Sequence, residues 1–131
     1  MRTPGNCCKS AYQGLEAVTR TIGRADNAEL VHGLVTGTGG GIEGLRYGHA
    51  WVEINGIMVL DYSQARPMTV PRELYYRTGN IDPAKTVRYT LDVALQFLLD
   101  RKHYGPWEPW LHEQWIPGEV PEHIKESAGD R

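Results

Sequence analysis

The stretch Gly48-His49-Ala50-Trp51-Val52-Glu53-Ile54-Asn55-Gly56-Ile57-Met58-Val59-Leu60-Asp61-Tyr62 decides the fold. Asn-Gly is the dipeptide that most readily takes the two positive φ angles of a tight hairpin turn, and apolar residues alternate on either side of it. The segment therefore reads as two antiparallel strands, with a histidine entering the first and an aspartate leaving the second. On the first strand His49, Trp51 and Glu53 share one face, while Ala50, Val52 and Ile54 take the other.

Loop length settles whether the histidine and the aspartate meet. A two-residue loop would set His49 against Tyr62 and turn Asp61 to the opposite face. A three-residue loop, Ile54-Asn55-Gly56 with a bulge at the glycine, pairs Glu53 with Ile57 and His49 directly with Asp61. An imidazole needs a carboxylate on its second nitrogen to fix its tautomer, and the expectation is the three-residue loop.

Upstream, Pro4-Gly5-Asn6 forms a turn in which Asn6 suits the N-cap of a helix beginning at Cys7. Cys8, Ala11, Tyr12, Leu15, Val18 and Ile22 recur at helical spacing, and Gly23 is placed to end the helix. Cys7 lies about 100° off that stripe, at the helix mouth, where unpaired N–H groups and the helix dipole favour an anion. A thiolate there, with a cationic histidine nearby, falls from a pKa of about 8.5 into the range of roughly 3.5–7.5. Cys7 is thus the candidate nucleophile and Cys8 a buried hydrophobe.

Between helix and hairpin, Leu30 to Thr36 reads as a strand and Gly37 to Gly44 as a glycine-rich loop. Gly39-Gly40-Gly41-Ile42-Glu43-Gly44 formally fits G-x-G-x-x-G, yet it leads into a strand where a dinucleotide site needs a helix. Downstream, Ser63 to Met68 reads as a loop. A short helix opens at Thr69 or Val70 and runs to Arg77, closed by Gly79. Thr86 to Tyr89 reads as a strand, and Thr90 caps a helix that ends before Gly105-Pro106. Trp107, Trp110 and Trp115 fold back over the core, with a partner surface as their fallback role. Tyr75, Tyr76 and Tyr104 read as packing residues, as does His32; His103, His112 and His123 read as exposed.

The whole chain of 131 residues suits one domain, taken as residues 1–116 with a polar tail at 117–131. Hydrophobic residues make up 40% and charged residues 23%, ordinary for a globular protein, and a net charge of −2 offers nothing to nucleic acid or an anionic membrane. Adjacent cysteines rarely satisfy disulfide geometry, so both read as thiols of a reducing, cytoplasmic compartment. No leader or membrane-spanning run is expected. Histidines and cysteines lack metal-ligand spacing, since His112-Glu113 has no second histidine of H-E-x-x-H, and no metal or cofactor is expected.

Gly5-Asn6-Cys7 opening a helix, His49-Ala50-Trp51-Val52-Glu53 on a strand and Leu60-Asp61 on the next resemble the transglutaminase-like group of papain-type cysteine enzymes. Tyr75-Tyr76, Arg88-Tyr89-Thr90 and His103-Tyr104-Gly105-Pro106-Trp107 are also similar to small phage and actinobacterial proteins with the same His-Ala-Trp core. The resemblance implies an α+β fold in which a Cys-bearing N-terminal helix packs on a small antiparallel sheet. It implies Cys7 as nucleophile, His49 as base and acid, and Asp61 as its orienting partner. The implied activity is amide chemistry on a protein or peptide: hydrolysis of a peptide or isopeptide bond, deamidation, or acyl transfer. The upstream glutamine of papain-like proteases is not expected before Cys7. Oxyanion donors are expected instead among the backbone N–H of Cys7 or Cys8 and the side chains of Asn6, Gln13 and Trp51. The rival reading is a non-catalytic binding protein that keeps the fold and grips a partner with its Trp-rich segment.

Overall fold

A computed structural model describes residues 7–23, 27–37, 44–63 and 66–113. Helix α1 spans Cys7–Ile22, followed by strands β1 (Ala28–Thr36), β2 (Arg46–Ile54), β3 (Met58–Asp61) and β4 (Met68–Pro71). Helix α2 (Arg72–Thr78), a 3-10 turn (Pro83–Lys85), β5 (Thr86–Tyr89), α3 (Leu91–Arg101) and the four-residue α4 (Pro109–His112) complete the described chain. The strands form one antiparallel sheet in the order β4-β3-β2-β1-β5, so the fold is α+β with an N-terminal helix and a five-stranded sheet.

The sheet separates two cores. On one face Ala11, Tyr12 and Leu15 of α1 meet Leu30, Ala50 and Val52, with Tyr89, Ala94, Trp107 and Leu111 closing the layer. Each fully buried leucine there contributes about 1.5–3 kcal/mol relative to exposure, enough for α1 to dock despite a polar outer face. Gly14 is a point of close approach: a Cβ there would run into the Tyr62 ring. On the other face Val31, Val35, Trp51 and Val59 pack under Tyr76 and Ile81.

His32 is fully buried on the α1 face, between Tyr89 at 5.2 Å and Trp107 at 5.3 Å between ring centroids. Neither ring nitrogen has a hydrogen-bond partner, and burial holds its pKa down to about 3. Trp107 itself is packed on Phe97 and Tyr89 in the core, so it offers no partner surface, whereas Trp110 is partly exposed. Trp115, His123 and the tail lie outside the described residues, as do Asn6 and most of the glycine-rich loop.

Three expectations are corrected. Met68 to Pro71 forms strand β4, so the following helix begins at Arg72 and not at Thr69 or Val70. This is an edge strand, where a terminal proline is tolerated because its missing N–H faces no neighbour. His103 is half-buried and accepts from the Gly105 N–H at 3.1 Å through Nδ1.

The third correction concerns the hairpin register. Ile54 pairs with Met58 and Glu53 with Val59, so the loop is Asn55-Gly56-Ile57 and Glu53 does not meet Ile57. Asn55 and Gly56 take φ of 56° and 65°, and the Ile57 N–H closes the turn on the Ile54 carbonyl at 3.0 Å. That is the turn an Asn-Gly pair prefers. Ile57 is then the extra residue, 65% exposed, its carbonyl accepting from the Arg72 N–H at 2.7 Å. Because the loop still holds three residues, the parity of the strands is the one expected. Extending the register sets Trp51 level with Asp61 and leaves His49 on the same face as a diagonal neighbour, not a direct partner.

Candidate active site

His49 is buried on β2, and its Nε2 lies 3.3 Å from Oδ2 of Asp61 at the end of β3. Tyr75 on α2 donates its hydroxyl to the same Oδ2 at 2.7 Å, and the Ser63 N–H donates to Oδ1 at 2.8 Å. Burial opposes the charge on Asp61, but the bonds from His49 and Ser63 outweigh it and hold the carboxyl well below the usual range.

Cys7 is the first residue of α1 and is buried, as is Cys8 beside it; both are free thiols. The β2–β3 ladder pairs Val52 with Leu60 but has no partner at Ala50. In an antiparallel ladder alternate N–H groups point to opposite neighbours, so the Ala50 N–H faces the gap where β3 has ended. Cys7 is close enough to the Ala50 N–H for that group to lower its pKa. His49 Nε2 is on Asp61, which leaves Nδ1, without a regular hydrogen bond of its own, as the nitrogen available to the thiol. Loose contacts of this kind are common in resting sites and tighten on binding.

The electrostatics separate the two cysteines. A hydrogen bond from the Cys8 thiol, together with His49 and the Ala50 N–H, overcomes burial and brings Cys7 down to about 5. Cys8 is pushed well up by burial and by its proton-donating role toward Cys7. Burial works against a charged His49, yet Asp61 and Cys7 raise its pKa well above the ordinary value. Both shifts favour a thiolate beside an imidazolium, the charge state a cysteine nucleophile requires.

The expected oxyanion donors fare differently. Trp51 is fully buried and its indole N–H donates to Glu53 Oε2 at 2.9 Å, so it is corrected from a donor to a structural group. Gln13 is exposed on α1, and like Cys7 it is not among the walls of the cavity beside His49. The Cys8 thiol is turned to Cys7; its backbone N–H, with that of Cys7, lies in the first helical turn. Asn6 lies outside the described residues.

Sequence reading missed two features. Tyr75 holds the Asp61 carboxylate, although nothing local distinguishes it from Tyr76. Glu53, 1% exposed, anchors a polar network: Arg88 Nη1 at 2.7 Å, Arg72 Nε at 3.0 Å, Trp51 Nε1 and the Tyr76 hydroxyl all donate to it. Burial raises the cost of its charge, and the bonds from Arg88, Tyr76 and Trp51 still keep Glu53 below the usual carboxylate range. Arg72 and Tyr76 are on α2, so this network seats the helix that presents Tyr75. Breaking one partner of a buried network of this kind costs roughly 3–5 kcal/mol.

Among the described residues no group of three or more His, Cys, Asp or Glu is disposed to hold a metal ion, and no helix is long and apolar enough to cross a membrane. Comparison with protein-family models, with curated proteins and with solved structures returned no match to this chain.

Proposed function

We propose that this chain is a cysteine-dependent enzyme of transglutaminase-like, papain-type architecture that acts on an amide or isopeptide bond of a protein or peptide. The observation that carries the reading is one buried imidazole whose Nε2 lies 3.3 Å from Asp61 Oδ2 and which is close enough to Cys7 to lower its pKa.

The Cys7 thiolate attacks the carbonyl carbon, forming the C–S bond and moving the carbonyl electrons onto oxygen. First-turn N–H groups of α1 are suited to receive that oxyanion. The His49 imidazolium gives its proton to the amide nitrogen as the C–N bond breaks, and a thioester remains. Water or an amine then adds to the thioester while His49 takes its proton, which returns the thiolate and completes hydrolysis, deamidation or transfer. Asp61 keeps the imidazole oriented throughout and stabilises its cationic form.

Selective alkylation tests the thiolate and a substrate panel tests the chemistry. Iodoacetamide at neutral pH should modify Cys7 ahead of Cys8, and His49→Ala should slow that reaction. Peptide, isopeptide and glutamine substrates, with Cys7→Ser as the inactive control, identify the bond cleaved. Equal, slow labelling of both cysteines with no turnover on any substrate would overturn the proposal.

A further inference from the structure

We propose that the cavity beside His49 and Asp61 seats an uncharged, apolar side chain of the amide substrate; this rests on the assignment of Cys7, His49 and Asp61 made above. The cavity measures about 350 Å³ and opens between α2 and the sheet. Val35, Val70, Leu74 and Ile81 give it apolar walls, and Tyr75 contributes an aromatic one. That volume lies in the range of sites that take small groups, and it accommodates a leucine, methionine or phenylalanine side chain.

Its position ties it to the chemistry. His49 and Asp61 belong both to the cavity wall and to the thiol site, so a side chain seated here is one imidazole away from Cys7. Tyr75, another wall, is close enough for the Cys7 charge to act on its hydroxyl. A substrate whose scissile carbonyl lies at Cys7 therefore has a neighbouring side chain within reach of the cavity.

Charge selects the occupant. Among the described walls, His49 and Asp61 are the only groups charged at neutral pH, and they face each other. The Asp61 oxygens already accept from His49, Tyr75 and Ser63. Arg46, next to the wall residue Thr36, is held by Thr36 Oγ1 at 3.0 Å and the Asn80 carbonyl at 2.7 Å. The other polar walls, Thr36, Tyr47, Ser63 and Thr78, carry hydroxyls and no charge, so an acidic or basic side chain would find no free counter-charge here, whereas an apolar one gains the walls.

The test uses acetylated dipeptide chloromethyl ketones with Leu, Phe, Asp or Lys beside the reactive group, each rate of Cys7 modification divided by the iodoacetamide rate of the same protein. Leu and Phe probes should react at least tenfold faster than Asp and Lys probes. Val70→Trp, or Thr78→Phe should the first not fold, narrows the cavity and should reduce that ratio to near one. Titration of the wild-type protein with N-acetyl-leucinamide, followed by NMR, should move the Val35 and Ile81 methyl signals, and N-acetyl-aspartate amide should not. Equal normalised rates, or methyl signals that ignore the leucine amide, overturn the cavity assignment even where iodoacetamide still finds Cys7. Methyl signals that respond while Cys7 labels slowly support the cavity and count against the enzyme reading alone.

Discussion

Tyr75 and His49 share one oxygen of Asp61: the tyrosine hydroxyl is 2.7 Å from Oδ2 and the imidazole Nε2 is 3.3 Å from it. The hydroxyl disperses carboxylate charge that would otherwise fall on the imidazole. In Tyr75→Phe the ring still packs on Trp51, at 5.3 Å between centroids, and only the hydrogen bond is lost. A bond to a charged group contributes about 1.5–3 kcal/mol, so unfolding in urea should show a loss of that order. Asp61 then holds the His49 proton more strongly, and the His49 titration followed by NMR should move to higher pH. An unchanged titration would show that the tyrosine only packs.

The Cys7 pKa, near 5, sets a pH profile for alkylation. The thiolate is populated above that value, so iodoacetamide reactivity should be high at neutral pH and fall through a midpoint near pH 5. His49→Ala removes the influence of the imidazole and its positive charge, and the midpoint should rise toward the ordinary thiol value of about 8.5. Cys8→Ala should raise it as well, since the Cys8 thiol is the leading cause of the depression. Mass spectrometry of the alkylated peptide, read across pH, checks all three.

His32 makes folding sensitive to acid. Its pKa is about 3 in the fold, below the ordinary 6.5, because its buried ring has no partner for a second proton. Between those values the unfolded chain binds a proton that the folded chain does not, so stability is intact above pH 6.5 and declines as pH falls. By pH 4.5 the loss is on the order of 3 kcal/mol, at about 1.4 kcal/mol for each pH unit. His32→Leu, similar in volume and free of unpaired nitrogens, should flatten the decline between pH 6.5 and 4.5 in thermal melts. An equally steep decline in the variant would place the acid sensitivity elsewhere.

Ile57 is dispensable to the register although it lengthens the loop. Removing it leaves Ile54 opposite Met58 across a two-residue Asn55-Gly56 turn, with every pair toward Asp61 unchanged. The cost is the Arg72 N–H bond to the Ile57 carbonyl, about 1 kcal/mol. The deletion variant should therefore fold and keep Cys7 reactivity within about threefold of the parent. Gly56→Ala, which forces φ of 65° on a residue with a side chain, should cost about 1 kcal/mol or more in the same urea assay. Loss of Cys7 reactivity on deleting Ile57, with the fold intact, would show that the bulge itself positions Asp61.

The elements were legible where local chemistry dictates them. The apolar stripe from Cys8 to Ile22 specified α1, Thr90 capped α3 as its side chain predicts, and alternation around Asn55-Gly56 specified the hairpin. β4 was not legible, because Met68-Thr69-Val70-Pro71 is a strand only through its pairing with β3. The shared face of His49 and Asp61 followed from a three-residue loop, which the sequence allowed beside a two-residue one, and the loop's placement, Asn55 to Ile57, was not legible.

The chain by itself marked Cys7, His49 and Asp61 as candidates and specified the hairpin that carries two of them. Tertiary structure decided how they meet: Asp61 as a diagonal neighbour of His49, and Cys7 near enough to His49 and Ala50 for both to lower its pKa. It also committed Trp51 to Glu53 and brought Tyr75 onto Asp61. The physical reason is range. Turn preference and periodicity act over a few residues and are written in the chain, whereas a hydrogen bond between residues 61 and 75, or a thiol brought near an imidazole far along the sequence, exists only once the sheet and helices have packed.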